Sequence, residues 1–225
     1  MSRRPPRGDY IETVSTCWSQ LIIVPPPTQQ SANVDCDQDS GNKVARKAVL
    51  VGTQNIMLGG KTVIQPDVMI RGDLVRTATS SSSSSGAAAA SPNTTAVAIG
   101  RYSFLAKGAL LRPGGRIYKG AFTYMPLRLG DHVFVGQGSV VQAASVGSHV
   151  SIGKGCTIGE CAIIKDYVKI LDDTVVAPFT VIPSFSVVAG QPGRVVGEIP
   201  EGGYEDLEFR ELYKTVGNNP QPPAA

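Results

Sequence analysis

The chain has 225 residues, 42% of them apolar and 17% charged, with a formal net charge of +3. That length buries one core and allows one domain or two. No Lys/Arg run interleaves with aromatics, which argues against a nucleic-acid surface, and no apolar run has the length of a bilayer span. Aromatics make up only 6% against 25 Gly and 16 Pro, a composition of turns and small repeated aliphatic positions rather than a helical bundle.

The four cysteines, Cys17, Cys36, Cys156 and Cys161, form no CxxC pair. Free thiols in a reducing compartment, and a soluble intracellular protein, are the expectation.

In chain order, residues 1–39 read as a disordered N-terminus that begins with Arg3, Arg4 and Arg7. Within it Val14–Gln38, VSTCWSQLIIVPPPTQQSANVDCDQ, fits no repeat. Val-Ser can be encoded GTA-AGT, Ala-Asn GCT-AAC and Gln CAG, which are splice donor, branch and acceptor signals in order. A translated, unspliced intron and an ordinary disordered insertion are both open readings. The first would join YIET directly to DSGNKV.

Residues 40–200 carry a period of six. From Leu129 the aliphatics run Leu129, Val135, Val141, Val146, Ile152, Ile158, Ile164, Ile170, Val176, Ile182 and Val188, with one five-residue slip between Val141 and Val146. Four residues after most of them stands a small or branched side chain, such as Val133, Ser139, Val150 or Cys156. Such a hexapeptide repeat builds a solenoid, because a rung of six buries its aliphatic only when stacked on its neighbours.

If three hexads close a coil, as in known hexapeptide proteins, the positions sort into three ladders. The first is Ile56, Ile99, Leu129, Val146, Ile164 and Ile182. The second is Val44, Ile64, Leu105, Val135, Ile152, Ile170 and Val188. The third is Leu50, Ile70, Leu111, Val141, Ile158 and Val176. One corner repeats Gly108, Gly138, Gly155 and Asp173, residues that tolerate a left-handed backbone. The fold class expected is an all-β solenoid, a left-handed parallel β-helix, with a C-terminal α-helix.

Two insertions leave the register intact. The Ser-rich loop 75–96 is low-complexity and polar, hence flexible. The loop 112–128, with Ile117, Tyr118, Phe122, Tyr124 and Met125, is expected to pack against a face or a partner. Residues 201–216 place Tyr204, Leu207, Leu212, Tyr213 and Val216 at roughly helical spacing, so a helix laid along the prism is expected. A disordered tail, 217–225, follows.

The two histidines, His132 and His149, occupy one corner of successive coils and read as turn residues, since no third metal ligand accompanies them. That corner runs Tyr102, His132, His149, Tyr167, Phe185, an aromatic column either covered by the C-terminal helix or used for partner docking; cover is the favoured reading. Cys156 reads as inert packing, whereas Cys161 falls at a turn and is expected to be accessible. Neither has a base placed to activate it.

The block RLGDHVFVGQGSVVQAASVGSHVSIGKGCTIG, with MIRGDL before it and AGQPGRVV after, resembles the gamma-class carbonic anhydrases, the five-residue slip included. In that family three histidines bind catalytic zinc at a subunit boundary. The matching positions here are Arg112, Gln137 and Gln142. A guanidinium has no lone pair to give a metal and repels one, so no catalytic residue, metal or cofactor is expected. Ala106 and Lys107 stand where the family's proton-handling Gln and Asp stand. Arg71 and Asp73 match, and the resemblance gives them a structural role.

YIET, SGNKV, VGTQNIMLGGKTVIQPDVMIRGDL, GDHVF, KILDDTVV and PFTVIPSFSVVAGQPG resemble more closely the dynactin subunit five family, β-helix proteins of the dynactin pointed-end complex. The resemblance implies a non-enzymatic, cytoplasmic and cytoskeletal scaffold. Its implied partners are dynactin subunit six, a second β-helix, the actin-related protein at the filament's pointed end and the large zinc-binding dynactin subunit. Dynein and endosomal cargo are implied at one remove. A carbonic anhydrase-like or hexapeptide acyltransferase enzyme is the alternative.

Overall fold

The computed structural model describes residues 10–13, 41–75, 95–118, 121–200, 202–203 and 209–216. Expectations that fall on 1–9, 14–40, 76–94, 119–120, 201, 204–208 (Tyr204 and Leu207 among them) and 217–225 lie outside the described residues.

Short strands of two to four residues stack into three parallel ladders that enclose one core. Alternation within each strand explains the arrangement: one residue points in, its neighbour out. On face A the inward register runs Val44, Ile64, Leu105, Val135, Ile152, Ile170, Val188, every step a direct parallel pair. Face B runs Leu50, Ile70, Leu111, Val141, Ile158, Val176. Both are the ladders that the period of six predicts.

Face C differs at one rung. Ile99, Leu129, Val146, Ile164 and Ile182 pair as expected, but Leu58 rather than Ile56 faces Ile99, and Ile56 faces Val97. The added residues Gly59 and Gly60 lengthen this hexad, so the inward position moves two residues along. Gly59 has to be glycine there: a Cβ would lie 2.5 Å from the Gly100 carbonyl carbon.

The corner expected to be left-handed is so at all four positions: Gly108, Gly138, Gly155 and Asp173 have φ of 70°, 68°, 63° and 55°. Burial of the inward aliphatics is nearly complete, with Ile64, Ile70, Leu105, Leu111, Ile152 and Ile158 all at 0% exposure. Each contributes roughly 1.5–3 kcal/mol before conformational entropy is subtracted.

The N-terminal stretch is not wholly without structure. β1 (Tyr10–Thr13) pairs antiparallel with β2 (Asn42–Ala45), the first strand of face A, and so covers an edge that would otherwise be open. At the other end Arg194–Glu198 pairs antiparallel with Ser186–Ala189 and caps the same face. The insertion 112–128 is a β-hairpin, Gly114–Tyr118 with Ala121–Met125, rather than an irregular loop.

The C-terminal helix α1 (Arg210–Thr215) lies within the 201–216 expected; Phe209 precedes it and Val216 ends it in extended conformation. It lies over the early coils of face A. Tyr213 and Val216 pack with Val63, Phe104, Ala106 and Phe134, and Phe209 meets Phe134 at 5.4 Å between ring centroids. Lys43 fixes it from below. This lysine is 1% exposed, and its ammonium donates to the carbonyls of Tyr213 (2.9 Å) and Val216 and sits 4.2 Å from the Tyr213 ring centroid.

Candidate interaction faces and the former metal positions

Irregularity concentrates at one of the three corners, where face B turns into face C. The Ser-rich segment, the hairpin insertion and the five-residue slip all fall there, as does the 3-10 turn Thr53–Asn55. Arg112 and Gln142 stand on this corner in adjacent coils: Arg112 N donates to the Val141 carbonyl at 3.0 Å, one residue before Gln142. Gln137 is exposed at the preceding corner, with the whole width of face B between. The structure thus brings two of the three positions together and keeps the third apart.

The chemistry at the Arg112 position is that of an ion pair. Its guanidinium donates to Glu160 Oε1 at 3.3 Å. The hairpin closes over the same place, and a Cβ on Gly114 would lie 3.0 Å from the Cys161 amide nitrogen and 3.5 Å from its sulfur. This contact corrects the expectation for Cys161. The residue has a left-handed φ of 56° at a turn, as expected, but is only 9% exposed because the hairpin covers it. Burial raises its thiol pKa, and burial likewise raises that of Cys156, which is 0% exposed in the core. Neither thiol is activated as a nucleophile.

Arg71 and Asp73 form a bidentate pair, Nε to Oδ1 and Nη2 to Oδ2, both 2.7 Å. The arginine holds the Asp73 carboxyl below its usual range. Between them Gly72 presses against the first coil, where a Cβ would lie 2.5 Å from the Gly52 carbonyl oxygen, and its own carbonyl accepts from Asn55 Nδ2 at 2.9 Å. The contacts tie the early coils together.

The aromatic column forms as a continuous stack. Centroids are 5.1 Å apart for Tyr102–His132, 4.7 Å for His132–His149, 4.9 Å for His149–Tyr167 and 5.0 Å for Tyr167–Phe185, with planes within 16° of parallel. The spacing is that of β rungs, and all five residues are left-handed, with φ between 54° and 59°. Lys61 begins the column: its ammonium donates to the Tyr102 hydroxyl at 3.0 Å, which lowers the phenol pKa and raises that of the amine. Among the described residues α1 packs on face A and meets the column at Tyr102, where Arg210 lies 5.5 Å from the ring centroid. Among the described residues the rings of the edge stack on one another, His132 is 7% exposed, and Phe185 at the far end is 44% exposed.

Sequence reasoning missed the outward row of face B. Val49, Met69, Leu110, Val140, Thr157 and Val175 lie in direct register on six successive coils. Five of the six are apolar; Val49 is 43% exposed and Met69 39%. The equivalent row on face A includes Val63 and Phe104, which α1 buries. The signal was present in the sequence: the residue just before each ladder aliphatic of face B is apolar in five coils of six.

Comparison with known proteins adds the family. The family described as Dynactin subunit 5 matches residues 87–212, more than half of the chain. A curated Dynactin subunit 5 from Dictyostelium discoideum is 39% identical over 109 residues, covering 48% of this chain and 45% of that relative, so the match spans less than half of its length. Among solved structures, perosamine N-acetyltransferase from Caulobacter crescentus has 18% identity and a TM-score of 0.50, covering 70% of this chain and 57% of that one. A hexapeptide transferase family protein from Anaplasma phagocytophilum has 14% identity and a TM-score of 0.50, covering 77% and 90%. At such identities these two establish the left-handed β-helix fold alone. The family match begins before the strand Val97–Ile99 and runs through every later coil into α1, and by it the chain belongs to the dynactin subunit 5 family.

Proposed function

We propose that this chain is a non-catalytic subunit of a dynactin complex that holds its partners through the flat faces and ends of the solenoid. The observation that carries the non-catalytic reading is Arg112, a permanent cation paired with Glu160 at 3.3 Å, in the position where the resembling zinc enzymes place a histidine. The likeness to acetyltransferases is one of fold and supplies no catalytic group.

Face B is the docking surface this reading favours, and its occupant a second β-solenoid, the role the family resemblance gives to dynactin subunit six. A face ridged at the rung spacing of 4.7–4.9 Å matches another face with the same spacing, and the five apolar side chains of the outward row supply area that association removes from water. The actin-related protein and the large zinc-binding subunit would then meet other surfaces, in a cytoplasmic complex that serves dynein transport of endosomes. Phe185, 44% exposed, favours the late end of the aromatic column as a second contact.

The test is affinity purification of the tagged full chain from its native extract, with the double variant Leu110→Glu, Val140→Arg as comparison. These rungs are adjacent and opposite in charge, so the fold is kept. Recovery of an actin-related filament and a second β-solenoid with the unaltered chain, and loss of the solenoid with the variant at an unchanged melting temperature, are expected. Stoichiometric zinc with bicarbonate turnover, and no such complex, would overturn the reading.

A further inference from the structure

β1 and β2 fix a relationship between two pieces of chain that are far apart in sequence. Their antiparallel register runs Tyr10 with Ala45, Ile11 with Val44, Glu12 with Lys43 and Thr13 with Asn42. The last pair is the turn end of a hairpin, where the connection between the strands has to begin and finish. As written, that connection is 28 residues, positions 14–41. Hairpin connections are ordinarily two to five residues.

Gly41, immediately before Asn42, has φ +56°. A left-handed glycine as the last loop residue is the signature of the three-residue hairpin, in which a type I turn is followed by one residue in the left-handed region. The residues before it are Asp39 and Ser40, which favour turns through their short polar side chains. If Thr13 were followed directly by Asp39, the loop would be Asp39-Ser40-Gly41, three residues with the required glycine third. The strand register, the φ of Gly41 and the turn residues all describe a hairpin whose two halves are joined at Thr13 and Asp39. Those are the two residues that flank Val14–Gln38, the segment whose codons can spell donor, branch and acceptor signals.

The hairpin's place in the fold makes a short loop matter. Gly41 lies under α1, and its carbonyl accepts from the Tyr213 hydroxyl at 2.7 Å. Asn42 is 1% exposed, and its Oδ1 accepts from the Thr62 amide at 2.9 Å. Lys43 holds the end of α1. The first strand of face A, its cap β1 and the C-terminal helix therefore meet at the mouth of this loop.

We infer that in the working form of this protein Thr13 is bonded to Asp39, closing a three-residue β1–β2 hairpin, and that Val14–Gln38 is a retained intron rather than part of the folded protein. The inference does not depend on the dynactin reading.

Sequencing of cDNA across codons 10–45 from the native source is the direct test. The expected result is a dominant message joining codon 13 to codon 39; a dominant message that retains codons 14–38 overturns the inference. A second measurement compares thermal melting of the 225-residue chain, the chain lacking 14–38 and the chain lacking 14–40. Shortening the connection from 28 residues to 3 should raise the melting temperature by about 4–8 °C. Removing Asp39 and Ser40 as well leaves one residue, too few to close the register, and should abolish that gain. An unchanged or lower melting temperature on deleting 14–38, or equal gains from both deletions, would contradict the three-residue hairpin.

Discussion

Lys43→Met is the perturbation that separates the helix from the solenoid. The lysine is buried to 1% exposure beneath α1, and its ammonium joins the carbonyls of Tyr213 and Val216 at the helix's C-terminal end. A cation there also meets the negative end of the helix dipole. Each charge-assisted hydrogen bond contributes about 1.5–3 kcal/mol, and the Tyr213 ring at 4.2 Å adds about 1 kcal/mol. Against this stands the cost of removing an ammonium from water, several kcal/mol. The net loss on substitution by Met, which keeps the aliphatic stem, is roughly 2–3 kcal/mol. Because the two carbonyls can return to water when α1 lifts, the loss falls on opening of the helix, and the opening constant should rise roughly 30- to 150-fold. Amide hydrogen exchange reads this directly. Protection should fall by that factor at Leu212–Thr215, while exchange in late coils such as Ile152, Ile164 and Ile170 stays unchanged. Equal loss of protection throughout the solenoid, or none at α1, would refute the reasoning.

Ile158 and Val140 test inside against outside on face B. Ile158→Ala, at 0% exposure, should cost about 2–5 kcal/mol and lower the melting temperature by on the order of 10 °C, whereas Val140→Ala, outward on the next coil, should change it by a degree or two. With Cys17 and Cys36 replaced by Ser, Cys156 and Cys161 should both resist a thiol reagent in the native state and react stoichiometrically once the protein is denatured; rapid native labelling of Cys161 would contradict the hairpin cover. Asp73, with its pKa lowered by Arg71, binds its proton less readily folded than unfolded. The pair's stabilisation is present above the unfolded carboxylate range of about pH 4 and is lost as pH falls through the folded value. Both groups are about a third exposed, so the effect is well under 1 kcal/mol. Asp73→Asn should flatten the acid limb of the melting curve slightly and leave its neutral region within a degree.

The ladders were legible because a solenoid repeats one local rule. A coil whose aliphatic missed its rung would leave a hole beside two neighbours, so the period of six survives insertions, and only the lengthened hexad at Gly59 and Gly60 moved a rung from Ile56 to Leu58. The left-handed corner was legible for the same reason, since glycine and aspartate report backbone conformation directly. Cover was harder to read. Cys161 lies at a turn by spacing, and the hairpin over it folds back from residues 112–128, a tertiary event without a local signal. The stacking of Tyr102 through Phe185 follows from rung spacing once the corner is known, but whether α1 or solvent lies outside it depends on where the helix lands. The outward row of face B was in plain sight at the positions preceding Leu50, Ile70, Leu111, Val141 and Val176. It stayed unnoticed because the repeat directs attention inward.

Purification of the native complex through this chain, with its components identified and its zinc quantified per copy of the chain, tests the central claim most directly. A non-catalytic dynactin subunit predicts an actin-related filament and a second β-solenoid in constant proportion, with zinc accounted for by other subunits. A homotrimer of this chain carrying its own zinc at the Arg112 corner would contradict it.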